Sequence, residues 1–143
     1  MNLAEASRLK TEAPREAVRH LEEAISLYKG DFLEGSPGAE WVLVRQDELR
    51  RAYEEALLEL GGLRFEGEHY AEAAEAYRKA IAFDRYSENA HRRLMQCYAR
   101  MGEPERALLH YRELSRMIGE ELGSSPAAES AELYERLRRG ENL

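Results

Sequence analysis

A 34-residue offset between like residues is the feature that most constrains the fold of this chain. It relates five pairs: Ala56 and Ala90, Leu60 and Leu94, Ala73 and Ala107, Tyr77 and Tyr111, and Arg78 and Arg112. A period of roughly 20 to 50 residues is typical of arrays of one supersecondary unit. Such a unit cannot bury its apolar face alone, so neighbouring units must stack. The offset therefore predicts adjacent stacked units over residues 54–84 and 85–116.

The segments around these pairs favour helices and contain no convincing strand. Glycine and proline fall where helices should stop or start, and apolar residues recur at helical spacing between them. The predicted helices cover residues 14–28, 41–65, 70–83, 87–101, 104–122 and 126–139, with a loop at 30–40. We therefore expect an all-α fold of tetratricopeptide-like stacked helical hairpins, because that repeat has the same period. It should have six or seven helices and no sheet, in a single domain over residues 1–143.

The repeat register assigns packing roles to its small and aromatic residues. Ala73 and Ala107 are expected where the two helices of a hairpin cross, since a large side chain there would force the helices apart. Tyr77 and Tyr111 are expected to fill the space between neighbouring hairpins. The turn GEHY is expected to be one residue longer than its counterpart in the second unit.

Composition excludes several classes of protein. The net charge of −7 lacks the positive excess by which nucleic-acid-binding domains displace counterions from phosphates. No apolar run approaches the ~20 residues that span a bilayer, and no secretory signal is recognisable. A single cysteine, Cys97, excludes an internal disulfide framework. We expect a cytoplasmic chain that contacts neither nucleic acid nor membrane directly.

No catalytic constellation stands out in the sequence. The four histidines lie on different predicted elements, without the paired spacing of a metal site. His91 shares a helical side with Leu94 and Met95, which favours a packing role over a ligand role. Cys97 is expected to be a small buried hydrophobe. The chain is therefore not expected to be an enzyme or to hold a cofactor or metal.

The repeat register also predicts a binding groove. The first helices of successive hairpins line one concave face of a stacked array. In the first of the two units Leu57 and Gly61 should face that groove. The polar residues expected to line it, as a partner-binding surface for an acidic protein segment, are Arg64, Asn89, Arg92, Gln96 and Arg100. Pairing of these arginines with the acidic neighbouring unit is the alternative, because residues 54–84 carry a net charge of −5 and residues 85–116 carry +3.

Three blocks of sequence carry a further signal, and they follow one another in order. They are LYKGDFLEG with Trp41 after it, SENAHRRLMQCYARMGEPERALLHYREL, and EELGSSPAAESAELYERLRR. Together they resemble the bacterial transcriptional activator domain of the Streptomyces antibiotic regulatory protein type. The signature and structural positions are Gly30, Trp41, Ala73, Tyr77, Gly102, Ala107, Tyr111, Leu122, Gly123 and Pro126.

The resemblance implies a tetratricopeptide-like domain that regulates and oligomerises a transcriptional activator through protein contacts. It implies a winged-helix DNA-binding domain upstream of these residues, and we expect the chain to be either an excised domain of a larger activator or a free-standing member. The implied partners are a second copy in a homodimer, that winged-helix domain, and RNA polymerase. Two alternatives stay open: a stand-alone helical-repeat adaptor that binds a peptide or protein, and a domain that senses a small-molecule effector.

Overall fold

The protein is all-helical in a computed structural model that describes residues 16, 18–26 and 40–141, with side chains only from residue 47 onward in the second helix. Six helices and no strand occupy these residues, which confirms the predicted all-α class. The first helix, α1, covers residues 18–26. The others are α2 (Glu40–Glu66), α3 (Tyr70–Phe83), α4 (Glu88–Arg100), α5 (Pro104–Leu122) and α6 (Ala128–Arg138). The start predicted for the first helix and the loop predicted at 30–40 lie outside the described residues.

The 34-residue offset reappears in the bounds of the helices. Helices α3 and α5 begin 34 residues apart, at Tyr70 and Pro104, and α2 and α4 end 34 residues apart, at Glu66 and Arg100. Both turns therefore contain three residues, 67–69 and 101–103, and the expectation of a longer first turn is wrong. The register is kept because equivalent residues of the two turns, Glu68 and Gly102, both take a left-handed backbone conformation, with φ of 65° and 78°.

Each helix packs on its neighbours in chain order. Helix α3 lies between α2 and α4, α4 lies between α3 and α5, and α6 closes the array against α5 and α4. Ala73 and Ala107 are fully buried in the main core cluster. They occupy equivalent positions in α3 and α5, so both hairpins contribute a small buried residue to this cluster.

The two repeat tyrosines make different contacts. Tyr77 is 1 % exposed and its ring lies against Gly61 of α2. Tyr111 is half-buried and stacks on Tyr134 of α6, with ring centroids 4.3 Å apart. Tyr77 thus lies against α2 and belongs to a core cluster that includes Leu94 and Cys97 of α4, whereas Tyr111 joins its hairpin to the closing helix.

Glycines end two of the helices where the sequence places them. Gly123 follows α5 with φ of 61°, and its N–H donates to carbonyls of the last turn. Gly102 has the same role after α4. None of the helices in the described ranges is both long enough and apolar enough to span a bilayer.

Candidate functional site

Helices α4 and α6 face each other across a groove of about 380 Å³. The repeat register predicts a groove along the first helices of the units 54–84 and 85–116, which are α2 and α4, whereas this groove lies between α4 and α6. The lining is polar and charged apart from Leu133. The residues that line it are Asn89, Arg92, Arg93, Gln96, Glu129, Glu132, Leu133 and Arg136.

Three of the residues predicted for a groove are brought together here, namely Asn89, Arg92 and Gln96. Their spacing of three and four positions places them along one face of α4. Arg100 lies further along the same helix and lines a separate cavity of about 460 Å³ between the end of α4 and the end of α6. The predicted set is thus divided between two concave regions.

Arg64 is directed away from both regions. Its guanidinium lies 3.1 Å from Glu22 Oε1 of α1 and donates a hydrogen bond of 3.0 Å to the carbonyl oxygen of Glu72. Its side chain is 18 % exposed. Arg64 therefore ties together α1, α2 and α3.

The expectation that Leu57 and Gly61 face the groove is wrong. Leu57 is 1 % exposed and packs with Ala80 and Ala90 in a core cluster. Gly61 is covered by the ring of Tyr77. Both residues lie on the side of α2 that meets α3 and α4, so they belong to the core.

A hydrogen-bonded network fixes one wall of the groove to the other. Glu88 Oε1, at the start of α4, accepts from the N–H of Ala127 at 2.7 Å and from the hydroxyl of Ser130 at 2.9 Å. Ser130 is fully buried and its Oγ accepts a bond of 3.1 Å from Arg92, which also lies 3.5 Å from Glu129. Glu88 thereby caps α6 from another helix. Arg92 is consequently a structural brace as well as part of the groove lining.

Helix α6 begins slightly later than predicted. The sequence predicts that Pro126 opens this helix, whereas the structure begins it at Ala128. The N–H of Ala127, at the N-cap position, has no acceptor within the helix and donates to the Glu88 carboxylate, 39 positions away in the chain.

Two further arginines, Arg93 and Arg136, line the groove although the repeat register does not predict them there. The Arg93 side chain is exposed; it donates to Gln96 at 3.5 Å and its guanidinium carbon lies 5.8 Å from the centre of the Phe65 ring. Arg136 Nε lies 3.4 Å from Glu141 at the surface. Arg93 could have been predicted from the sequence, because it follows Asn89 by one helical turn.

The cationic face of α4 continues to the end of α2. Arg100 lies 5.8 Å from the centre of the Phe65 ring and 6.0 Å from that of Tyr70. The two rings meet edge to face, with centroids 5.1 Å apart. Cations at such distances from an aromatic face are weakly held at exposed sites. A surface of arginine and aromatic side chains therefore adjoins the groove through Arg93.

Two histidines that are 19 residues apart in the chain meet between α4 and α5. His91 Nδ1 lies 2.8 Å from His110 Nε2, and His91 Nε2 lies 2.8 Å from the carbonyl oxygen of Arg85. Burial lowers the pKa of His91 below its ordinary value. Burial, reinforced by the nearby His91 and Arg106, lowers the pKa of His110 to about 4. Sequence spacing could not reveal this pair, because it forms across two helices.

The chemistry of the remaining reactive side chains matches structural roles. Cys97 is fully buried, and this burial raises the pKa of its thiol to about 11, which keeps the thiol protonated at neutral pH. Over the ranges that the structure describes, no three histidine, cysteine or acidic side chains form a metal-binding group.

Most signature positions have packing or turn roles. Gly30 and the side chain of Trp41 lie outside the described residues, although the backbone of Trp41 is helical. Leu122 is 55 % exposed at the end of α5. Pro126 is half-buried in the link to α6. The positions with an observed role in the core or in a helix end are Ala73, Tyr77, Gly102, Ala107, Tyr111 and Gly123.

Comparison with known proteins agrees with this architecture. Residues 2–138 match the family model described as the bacterial transcriptional activator domain. No curated protein and no solved structure matches the chain. Because the match covers nearly the whole chain, the protein belongs to the family of bacterial transcriptional activator domains.

Proposed function

We propose that this domain serves a cytoplasmic transcriptional activator as its protein-interaction module, and that the groove between α4 and α6 receives an acidic segment of a partner protein. The groove carries the proposal: Arg92, Arg93 and Arg136 line it together with the amides of Asn89 and Gln96. Arginine presents a planar fork of donors that fits a carboxylate, and side-chain amides can bond to a peptide backbone.

The distribution of charge favours an acidic peptide over DNA as the ligand of the groove. The chain has a net charge of −7, so its long-range field repels a phosphate backbone. The groove itself has three arginines against Glu129 and Glu132. A local positive surface in an acidic molecule favours a short acidic peptide, which needs only local complementarity, over a polyanion.

The polar lining of the groove also favours a peptide over a small molecule as its ligand. Pockets for small molecules are lined mostly by apolar and aromatic side chains. This groove has one apolar residue, Leu133, among its eight lining residues. A peptide that exchanges hydrogen bonds along its length suits such a lining better.

Self-association, contact with a winged-helix domain and contact with RNA polymerase are further parts of the proposed role. They follow from the resemblance to activators and have no assigned surface in this structure. Sedimentation of the purified chain over a range of concentrations measures the first of them. A chain that stays monomeric throughout that range argues against a dimerisation role.

The experiment reverses charge in the groove without touching the Arg92 brace. In the double variant Arg93→Glu, Arg136→Glu, each arginine is exposed or bonded at the surface, so the melting temperature should barely move. Binding of a fluorescent glutamate-rich peptide should weaken by about tenfold or more. Transcription from a reporter driven by the full activator should fall in parallel.

A matched control carries the same change of net charge outside the groove. Lys79 and Arg138 are exposed and pair only with neighbours on their own helices, Glu75 and Glu135. The double variant Lys79→Glu, Arg138→Glu should bind the peptide and activate transcription as the wild type does. The proposal is wrong if the wild type does not bind the peptide, or if both double variants lose binding equally.

A further inference from the structure

A buried pair of histidines lies outside the groove, between α4 and α5. His91 is 5 % exposed and both rings line a cavity of about 230 Å³ between α4 and α5. The rings are 5.0 Å apart between centroids and tilted by 34°. A cavity beside the pair gives a solvent proton access to buried titratable groups.

The contacts determine where the protons sit. A carbonyl oxygen only accepts hydrogen bonds, so His91 Nε2, at 2.8 Å from the Arg85 oxygen, carries the proton. Neutral His91 then has a lone pair on Nδ1. His110 Nε2, at 2.8 Å, must therefore donate to it. The result is a directed chain from His110 through His91 to the backbone of the α3–α4 link.

We propose that the His91–His110 pair is an acid-sensitive latch, which holds α5 on α4 while both rings are neutral and is weakened when the pair takes up a proton. A proton on His91 Nδ1 would set two N–H groups against each other at 2.8 Å, and the hydrogen bond would be lost. A proton on His110 Nδ1 would leave the bond but create a buried cation that Arg106 repels.

The groups around the pair explain why the neutral form is favoured in the fold. The titratable and charged groups that face the pair, or line the cavity beside it, are Asp84, Arg85, Glu88, Tyr98, Arg106, Glu113, Arg116, Glu120 and Glu121. Three of these carboxylates pair with arginines: Glu121 with Arg85, and Glu113 and Glu120 with Arg116. A fourth, that of Glu88, accepts a hydrogen bond at the N-terminus of α6. Burial therefore outweighs their attraction for a proton.

The direction of the pH effect follows from linkage. Folding lowers the pKa of both histidines, and that of His110 from 6.5 to about 4. The unfolded chain consequently binds more protons than the folded chain between these values. The contribution of the pair to stability is complete above about pH 6.5 and is lost as the pH falls toward 4.

The test compares urea unfolding midpoints of the whole chain between about pH 7.5 and pH 4.5, in the presence of EDTA, for three proteins. In His110→Gln, the amide nitrogen can donate to His91 Nδ1 but cannot take up a proton. His20 is exposed on α1, so His20→Gln removes a histidine that is not in the latch. We expect the acid-induced drop in midpoint to be about twice as large for wild type and His20→Gln as for His110→Gln. Equal drops in all three proteins would overturn the latch.

A second measurement does not depend on the folding of a variant. Long-range ¹H–¹⁵N spectra of the wild-type imidazoles at neutral pH should show both rings neutral with their protons on Nε2. Their titration midpoints should lie below the ordinary histidine value of 6.5. A proton on His91 Nδ1 at neutral pH, or midpoints at that ordinary value, contradicts the proposal.

Discussion

Gly61 and Gly62 are neighbours in α2 that meet different surroundings. A Cβ atom on Gly61 would lie 2.7 Å from two ring carbons of Tyr77, whereas one on Gly62 would lie 3.9 Å from the Tyr77 hydroxyl. Tyr77 is 1 % exposed and has no room to retreat. A glycine inside a helix costs roughly 1 kcal/mol relative to alanine. At Gly61 the missing side chain permits the close approach of α3. At Gly62 no such contact offsets the cost.

The substitution Gly61→Ala should lower the free energy of unfolding by about 1–3 kcal/mol, because the added methyl group overpacks the contact with Tyr77. Gly62→Ala should raise it by up to about 1 kcal/mol, because it removes the entropic penalty without a clash. Urea unfolding monitored by circular dichroism measures both. Equal stability of the two variants would show that Tyr77 can move aside.

At the scale of the element, the turns after α2 and α4 share a left-handed residue, which is a glycine in only one of them. The two turns have the same length, and their equivalent residues are Gly102 and Glu68. Glycine tolerates a positive φ, whereas a residue with a Cβ atom at such a position is strained. The first turn therefore stores strain that the second turn avoids.

Replacing Glu68 by glycine should stabilise the protein by about 1 kcal/mol, because it relieves the left-handed strain. The opposite change at the equivalent position, Gly102→Ala, should destabilise it by a similar amount; nothing lies within 4 Å of a Cβ there, so the effect would be one of backbone alone. Thermal unfolding should shift by about 3 °C in opposite directions. A lower Tm for Glu68→Gly would mean that its carboxylate has a stabilising role.

The closing helix α6 depends on a cap from α4. Glu88→Ala should cost about 1–3 kcal/mol, because it leaves the N–H of Ala127 and the buried hydroxyl of Ser130 without their acceptor. Glu132→Ala, on the exposed side of α6, should change stability by less than about 0.5 kcal/mol. A double-mutant cycle with Ser130→Ala measures the coupling, which should exceed about 0.5 kcal/mol. Additive effects would show that the bond contributes nothing to holding α6.

At the scale of the whole molecule, the chain is acidic overall and carries a local cationic surface on α4 and α6. Arg93, Arg100 and Arg136 provide exposed or surface-bonded positive charge along these two helices. The acidic remainder keeps the net charge at −7. Such a distribution separates recognition of a short acidic peptide from binding of a long polyanion.

The isolated chain should bind duplex DNA no more tightly than ~10⁻⁴ M at physiological salt, because it offers no positive excess to release counterions. Fluorescence anisotropy with a labelled duplex, at two salt concentrations, measures this. A sub-micromolar and salt-sensitive affinity would contradict it and would point to the arginines of α4 and α6 as a nucleic-acid surface.

Periodicity, helix-end residues and sequence motifs were enough to predict the all-helical class, most helix bounds and the family. Helix α3 begins and ends where periodicity predicts, and Gly102 and Gly123 end their helices, because hydrogen bonds and dihedral angles of a helix depend on residues a few positions apart.

The side-chain contacts between helices could not be predicted in the same way, because they arise from packing. It paired His91 with His110, turned Arg64 toward α1, and buried Leu57 in the core. It also placed the carboxylate of Glu88, which lies on another helix, at the N-terminus of α6. These contacts join residues far apart in the chain, and they depend on how helices rotate and cross when they pack, which a repeat period does not specify.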